Sequence, residues 1–344
     1  MIIKNIVFIT GFAGFIGFHL SKLLLSIDCK VVGLDAITDY YDINLKHDRF
    51  EILKKNENFH GYIGLIQNES LLNKIYKTHK PNIIIHLAAQ AGVRYSIDHP
   101  ISYVESNLIG TFHILEMARR FKTNHLLIAS TSSVYGNNTI YPFDENQKCD
   151  TQISFYAATK KSNEVMAHSY SHLYGIPITL FRFFTVYGPW GRPDMALFKF
   201  TKNILSGNPI DIYNFGNMKR DFTNVSDLVE AIKLLIEVKP LLPNQREKTL
   251  DCDSISKTAP YRIVNIGNSN SVNLLDYVKE LENALEIKAK KNFLEMQDGD
   301  VAETLSDISL LESLTGFRPK KSLKEGISEF VAWYKEYYSN HYKL

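Results

Sequence analysis

The chain has 344 residues, 45% of them hydrophobic, with 39 Lys plus Arg against 37 Asp plus Glu and a formal charge of +2. That length accommodates a large core in two closely joined lobes, and the near-balanced charge leaves no basic stripe for nucleic acid and no polybasic segment for a membrane surface. Three scattered cysteines, Cys29, Cys149 and Cys252, make neither a disulfide framework nor a metal cluster. With no charged leader and no run of about 18 apolar residues, a soluble cytoplasmic protein is expected.

The first predicted strand, Ile2 to Ile9, runs into Thr10-Gly11-Phe12-Ala13-Gly14-Phe15-Ile16-Gly17 and then the apolar-periodic Leu20, Leu23 and Leu24. Strand, glycine turn and helix in that order turn a weak glycine spacing into a dinucleotide site, because backbone must approach a pyrophosphate at a helix amino terminus. A second strand, Lys30 to Leu34, ends in Asp35, about 20 residues past the glycines. A carboxylate there accepts ribose hydroxyls and repels a 2′-phosphate, which favours NAD over NADP. Asp39 and Asp42 read as solvated loop charges.

A third unit follows. Pro81 to Ile85 is a buried strand, and His86-Leu87-Ala88-Ala89-Gln90-Ala91-Gly92-Val93 continues it as a loop of mostly small residues that lets backbone pack against a flat cofactor. Asn107 falls in a helical stretch from Tyr103 to Arg120 whose apolar positions also suit a partner surface. His86 and His99 have no acidic or thiol partner at ligand spacing and read as structural.

The apolar run His125 to Ala129 is a further buried strand, and Thr131 lies at its carboxyl end. Tyr156 and Lys160 are four apart, so in a helix they share a face. On its own such a pair reads as a surface helix pair. Beside a strand-end hydroxyl it reads as a general base, with the ammonium expected to favour the phenolate and lower its pKa. Strands alternating with helices through residue 180 indicate a doubly wound parallel α/β sheet.

Beyond strand Pro177 to Phe184 the chain becomes irregular. Arg192, among rigid Gly and Pro residues after a sheet strand, suits anion recognition, with a surface salt bridge as the alternative. Arg220 and Asp221 could pair internally, although a guanidinium facing the cofactor half also suits a diphosphate. Tyr261 to Ile266 is a short strand expected to rejoin the sheet. Residues 270–344 read as two or three helices around the loop Met296 to Val301. Pro240 to Lys257, polar and proline-bearing, is expected to be a weak linker.

Gly11-x-x-Gly14-x-x-Gly17, Asp35, Thr131 and Tyr156-x-x-x-Lys160, in that order, resemble the extended short-chain dehydrogenases/reductases over essentially the whole chain. The resemblance implies a Rossmann-type NAD-binding domain of residues 1–185, with segments 220–239 and 260–268 returning to it, and a mostly substrate-binding lobe of 186–344. It implies contacts to NAD from residues 11–17, Asp35, Leu87, Ala88, Ala89 and Asn107, with Tyr156 and Lys160 at the nicotinamide end. Helices near 103–120 and 155–173 would make a four-helix homodimer interface. The family's adenine-binding Asp in Gly-Asp-Ile-x-Asp is replaced here by Leu65 in Gly64-Leu65-Ile66-Gln67-Asn68, whose side chain cannot accept a hydrogen bond.

The carboxyl-terminal segments resemble the sugar-nucleotide branch. By that resemblance Arg220 contacts the diphosphate, Tyr213 faces the uracil and Asp300 the uridine ribose. Residues 187–196, 91–96 with Arg94, and 297–301 look most like UDP-glucuronate 4-epimerases, and Thr185 stands where many relatives outside that subgroup have Asn. The branch's 4,6-dehydratases and decarboxylases tend to carry acids where this chain has Ser132 and Ser133. What the resemblance then implies is C4 epimerisation of UDP-glucuronate through a 4-keto sugar, with NAD retained and Arg192, with Thr185 or Ser132, holding the carboxylate. The alternatives are a 4-epimerase of UDP-glucose or UDP-N-acetylhexosamine, a decarboxylase, a dehydratase, or a dinucleotide-binding regulator without catalysis.

Overall fold

The computed structural model describes residues 5–247 and 250–341. Among the described residues twelve strands occur in chain order: β1 Ile6–Thr10, β2 Lys30–Asp35, β3 Phe59–Ile63, β4 Ile83–His86, β5 His125–Thr131, β6 Ile178–Phe183, β7 Thr185–Tyr187, β8 Ile210–Ile212, β9 Lys219–Asn224, β10 Tyr261–Ile266, β11 Ser271–Asn273 and β12 Lys291–Phe293. Seven form one sheet in the order β10-β6-β5-β4-β1-β2-β3, with every pair parallel. The order reverses at β1, so the first three strands run outward one way and the rest the other. Doubly wound sheets open a crevice at that switch point, at the carboxyl ends of the strands.

The strands read as continuous apolar runs because both faces are covered. Val7, Ile9, Ile83, Ile85, Leu127 and Ala129 enter the core on one side, packed with helices Phe15–Ser26 and Val225–Glu237. Phe8, Ile84, Leu126 and Ile128 enter the core on the other, packed with Glu69–His79, Gly110–Phe121 and Phe155–Tyr174. Each fully buried Leu, Ile or Val contributes about 1.5–3 kcal/mol.

The expected strand Tyr261 to Ile266 joins the sheet edge beside β6. Of the segment 220–239, only the helix returns to this sheet; its strand β9 pairs instead with β7 and β11 in a separate three-stranded sheet. That small sheet, the β8-β12 pair and helices Ala196–Leu205, Leu274–Leu285 and Leu323–His341 enclose a third, aromatic-rich core. The helical stretch through Asn107 is not uniform: Val104–Ile109 is a π turn between Pro100–Tyr103 and Gly110–Phe121. In the linker Pro240 to Lys257 a 3-10 turn occupies Pro243–Gln245, while residues 248–249 lie outside the described residues, as do residues 2–4 of the first expected strand. Among the described residues no helix is long and apolar enough to cross a membrane.

Candidate active site

A cavity of about 500 Å³ opens at the carboxyl ends of β1 to β6. Its floor is the glycine turn. Gly11 has φ +79°, and a Cβ there would stand 2.8 Å from the Ala88 nitrogen; one on Gly17 would stand 2.0 Å from the Gly11 carbonyl oxygen. Both positions therefore require glycine. Helix Phe15–Ser26 starts beyond Gly14 with no side-chain cap and no acid in its first turn, which leaves amino-terminal N–H groups for an anion.

Gly11, Gly14 to Gly17 and Asp35 line the cavity, as do Leu87, Ala88 and Ala89. Asp35 is fixed by two backbone donors, Ala13 N–H at 3.0 Å and Ile37 N–H at 2.8 Å. Three expected cofactor contacts lie elsewhere. The Phe12 ring is buried against Phe50 and Phe59, and Ala13 is buried with its N–H spent on Asp35. Asn107 is fully buried: its carbonyl oxygen accepts from Gln90 N–H at 2.8 Å, and its amide donates to the Gln90 carbonyl and the Thr159 hydroxyl. It braces the loop after β4 and does not reach the cavity wall.

Tyr156, Lys160, Thr131, Ser132, Ser133, Thr185 and Arg192 all line the same cavity. Helix Phe155–Tyr174 is started by Ser154, whose hydroxyl accepts from Ala157 N–H, and Tyr156 N–H donates to the Ser96 hydroxyl. The Lys160 ammonium donates to the Ala129 carbonyl of β5 at 2.9 Å. Thr131 interacts with the Tyr156 hydroxyl, and its own hydroxyl donates to Ser133 Oγ at 3.2 Å.

The expected lowering of the Tyr156 pKa is not what the geometry gives. Burial raises it, offset by the Thr131 hydrogen bond and the Arg192 charge, and the ammonium that was to lower it points to Ala129 instead. Burial brings Lys160 itself down to about 8. Spacing shows that two residues share a helix face; it does not show how deeply they are buried.

Arg192 donates to Asp194 through Nε at 3.0 Å and through its terminal nitrogen at 2.5 Å, and Tyr40 donates to the same carboxylate at 3.0 Å. Asp194 and Tyr40 also line the cavity. Sequence reasoning missed both, although the aromatic pair Tyr40-Tyr41, five and six residues after Asp35, was a signal. It also missed Lys46, a 5% exposed lysine on the cavity wall that donates to the Thr38 carbonyl and hydroxyl.

The remaining substrate candidates form a polar cluster outside this lining. Arg94 donates to Asp300 at 2.9 Å and lies over the Tyr213 ring, 4.6 Å from its centroid. Arg220 donates to the Lys219 and Ala302 carbonyls. It makes no pair with Asp221, whose buried carboxylate accepts from Asn268, Ser269 and Ser306. Gly299 joins the two regions, because an added Cβ would stand 3.1 Å from Val93 on the cavity wall.

A doubly wound sheet with this turn, carboxylate and Thr-Tyr-Lys set matches the short-chain dehydrogenase/reductase pattern of the motifs. The family described as GDP-mannose 4,6 dehydratase matches residues 8–330, and the chain belongs to it. Protein CapI of Staphylococcus aureus is 50% identical, with 96% of this chain and 99% of that protein covered. A probable UDP-glucuronate 4-epimerase of Rhizobium meliloti is 49% identical over 96% and 97%. The solved UDP-glucuronic acid 4-epimerase of Bacillus cereus, in complex with UDP-glucuronic acid and NAD, superposes with a TM-score of 0.86 at 31% identity, covering 97% of this chain and all of that one.

Proposed function

We propose that this protein is an NAD-dependent isomerase that interconverts UDP-glucuronate and UDP-galacturonate at C4 through a 4-keto intermediate. One observation carries the choice of reaction: among the described residues the only carboxylates lining the cavity are Asp35 and Asp194, and both are engaged. Elimination of water across C5 and C6 needs a free acid and base near the sugar, and Ser132 and Ser133 are neither at neutral pH. Epimerisation needs only a group that takes and returns the 4-hydroxyl proton. The similarity to the R. meliloti and B. cereus proteins supports the substrate.

NAD fits the residues present. The glycine turn and the first turn of helix Phe15–Ser26 would hold its pyrophosphate, Asp35 a ribose, and the Leu87–Ala89 loop its flat surface. When bound it supplies the acceptor and then the donor of hydride at C4. Tyr156 takes the 4-hydroxyl proton with Thr131 sharing it, and returns a proton after the ketone has turned its other face. Lys160 places positive charge beneath this exchange. Thr185, Ser132 and Arg192 hold the uronate carboxylate in an orientation that opposes loss of CO₂. Arg220, Arg94, Tyr213 and Asp300 take the uridine diphosphate.

The protein acts as a homodimer. Support comes from exposed apolar side chains on the adjoining helices, including Phe112 and Val165. We place it in the cytoplasm, a reading supported by three free cysteines of which Cys29 and Cys149 are buried thiols. A panel of UDP-sugars tests the substrate: inversion at C4 is expected for UDP-glucuronate well ahead of UDP-glucose and UDP-N-acetylglucosamine, and the reverse order would overturn the assignment.

A further inference from the structure

Along the cavity wall the strand order sets out the cofactor from one end. The glycine turn follows β1, Asp35 ends β2, and Gly64, Leu65, Ile66 and Gln67 follow β3 at the sheet edge. A dinucleotide with its pyrophosphate at the first and a ribose at the second has its adenine at the third. There the wall is apolar on two residues, Leu65 and Ile66, which suits a flat base. Leu65 offers the base no side-chain acceptor. Gln67, two residues on, also lines the cavity, and its side-chain carbonyl oxygen is fully buried without a hydrogen-bond partner.

A buried, unpaired amide oxygen is destabilising, and a donor supplied by a ligand removes that cost. The donor that adenine presents is its exocyclic 6-amine. We infer that Gln67 is the adenine-recognition residue of this chain, its carbonyl oxygen accepting a hydrogen bond from the 6-amine in place of the carboxylate that Leu65 replaces. This rests on the dinucleotide reading of the cavity. With the amide in its present orientation the contact favours an amine, because a base carrying a 6-carbonyl instead would set two acceptors against each other.

Nicotinamide hypoxanthine dinucleotide differs from NAD in that group and tests the inference directly. Dissociation constants for both are measured by calorimetry on protein stripped of bound dinucleotide, for the unsubstituted chain, Gln67→Leu and Gln67→Glu. The unsubstituted chain is expected to prefer NAD by about tenfold or more. Gln67→Leu is expected to bind both equally, and Gln67→Glu, which still accepts, to keep the preference. Equal binding by the unsubstituted chain, or a preference that survives Gln67→Leu, would overturn the inference while leaving the cofactor assignment intact. Failure of the unsubstituted chain to bind NAD would overturn both.

Discussion

Arg192 grips Asp194, two residues along the same loop, through one edge of its guanidinium, Nε and one terminal nitrogen, and Tyr40 reaches across from the loop after β2 to the same carboxylate. The salt bridge weighed against anion recognition therefore exists, yet it stands in the cavity wall within electrostatic reach of Tyr156. Asp194 holds the arginine in the cavity wall. An Arg192→Ala variant is expected to raise KM for UDP-glucuronate by about tenfold, the worth of one charge-assisted pair at about 1.4 kcal/mol, and to release some UDP-pentose. Product analysis by liquid chromatography checks this. Unchanged KM and products would leave Arg192 a structural partner of Asp194 and nothing more.

Lys160 sets a pH dependence whose sign follows from its burial. Its ammonium titrates at about 8 in the folded chain against an ordinary 10.5, so between those values the folded state binds fewer protons than the unfolded one. Stability from this group consequently rises with pH across that window, and the cost of burying the ammonium is fully felt below it. In protein stripped of dinucleotide, chemical denaturation from pH 7.5 to 10 should show the unsubstituted chain gaining on Lys160→Met. A difference that stays flat or shrinks contradicts the burial argument.

Beneath the catalytic strand, Glu164 accepts from Arg182 at 2.9 Å through each oxygen and from the Ser130 hydroxyl at 2.7 Å, all buried. The pair ties helix Phe155–Tyr174 to β5 and β6, and so fixes Tyr156 against Thr131. Glu164→Ala leaves a buried guanidinium without its counter-charge and should cost about 3–5 kcal/mol of stability. Urea denaturation measures it; a loss under 1 kcal/mol would mean that water reaches the arginine.

Helices Gly110–Phe121 and Phe155–Tyr174 adjoin, and Phe112 and Val165 are 44% and 61% exposed on them. Exposed apolar side chains on adjoining helices are what the proposed dimer would cover. Phe112→Glu with Val165→Glu should convert a dimer to a folded monomer in light scattering, with unchanged circular dichroism. A dimer that persists places the interface elsewhere.

The alternation of apolar strands with helices made the sheet legible, because strands buried on both faces need no polar positions and stand out as runs such as His125 to Ala129. The glycine turn was legible for a similar reason, since Gly11 and Gly17 leave no room for a Cβ. Residues brought in from distant segments were not. Asp194 and Tyr40 lie 154 positions apart, and neither has a local pattern that announces the other. Asn107 sits in a π turn that no periodicity signals, and only its buried partners show that it braces Gln90. The Tyr156 pKa went the other way because burial outweighs a neighbouring charge that is aimed elsewhere.

Proton NMR of UDP-glucuronate incubated with the purified protein and no added NAD decides whether C4 epimerisation occurs. UDP-galacturonate is expected to appear, recognised by its changed H4 coupling, which would establish C4 inversion, the uronate substrate and a retained cofactor in one experiment. A pentose product, or no product even after NAD is supplied while UDP-glucose or UDP-N-acetylglucosamine is converted, would contradict it.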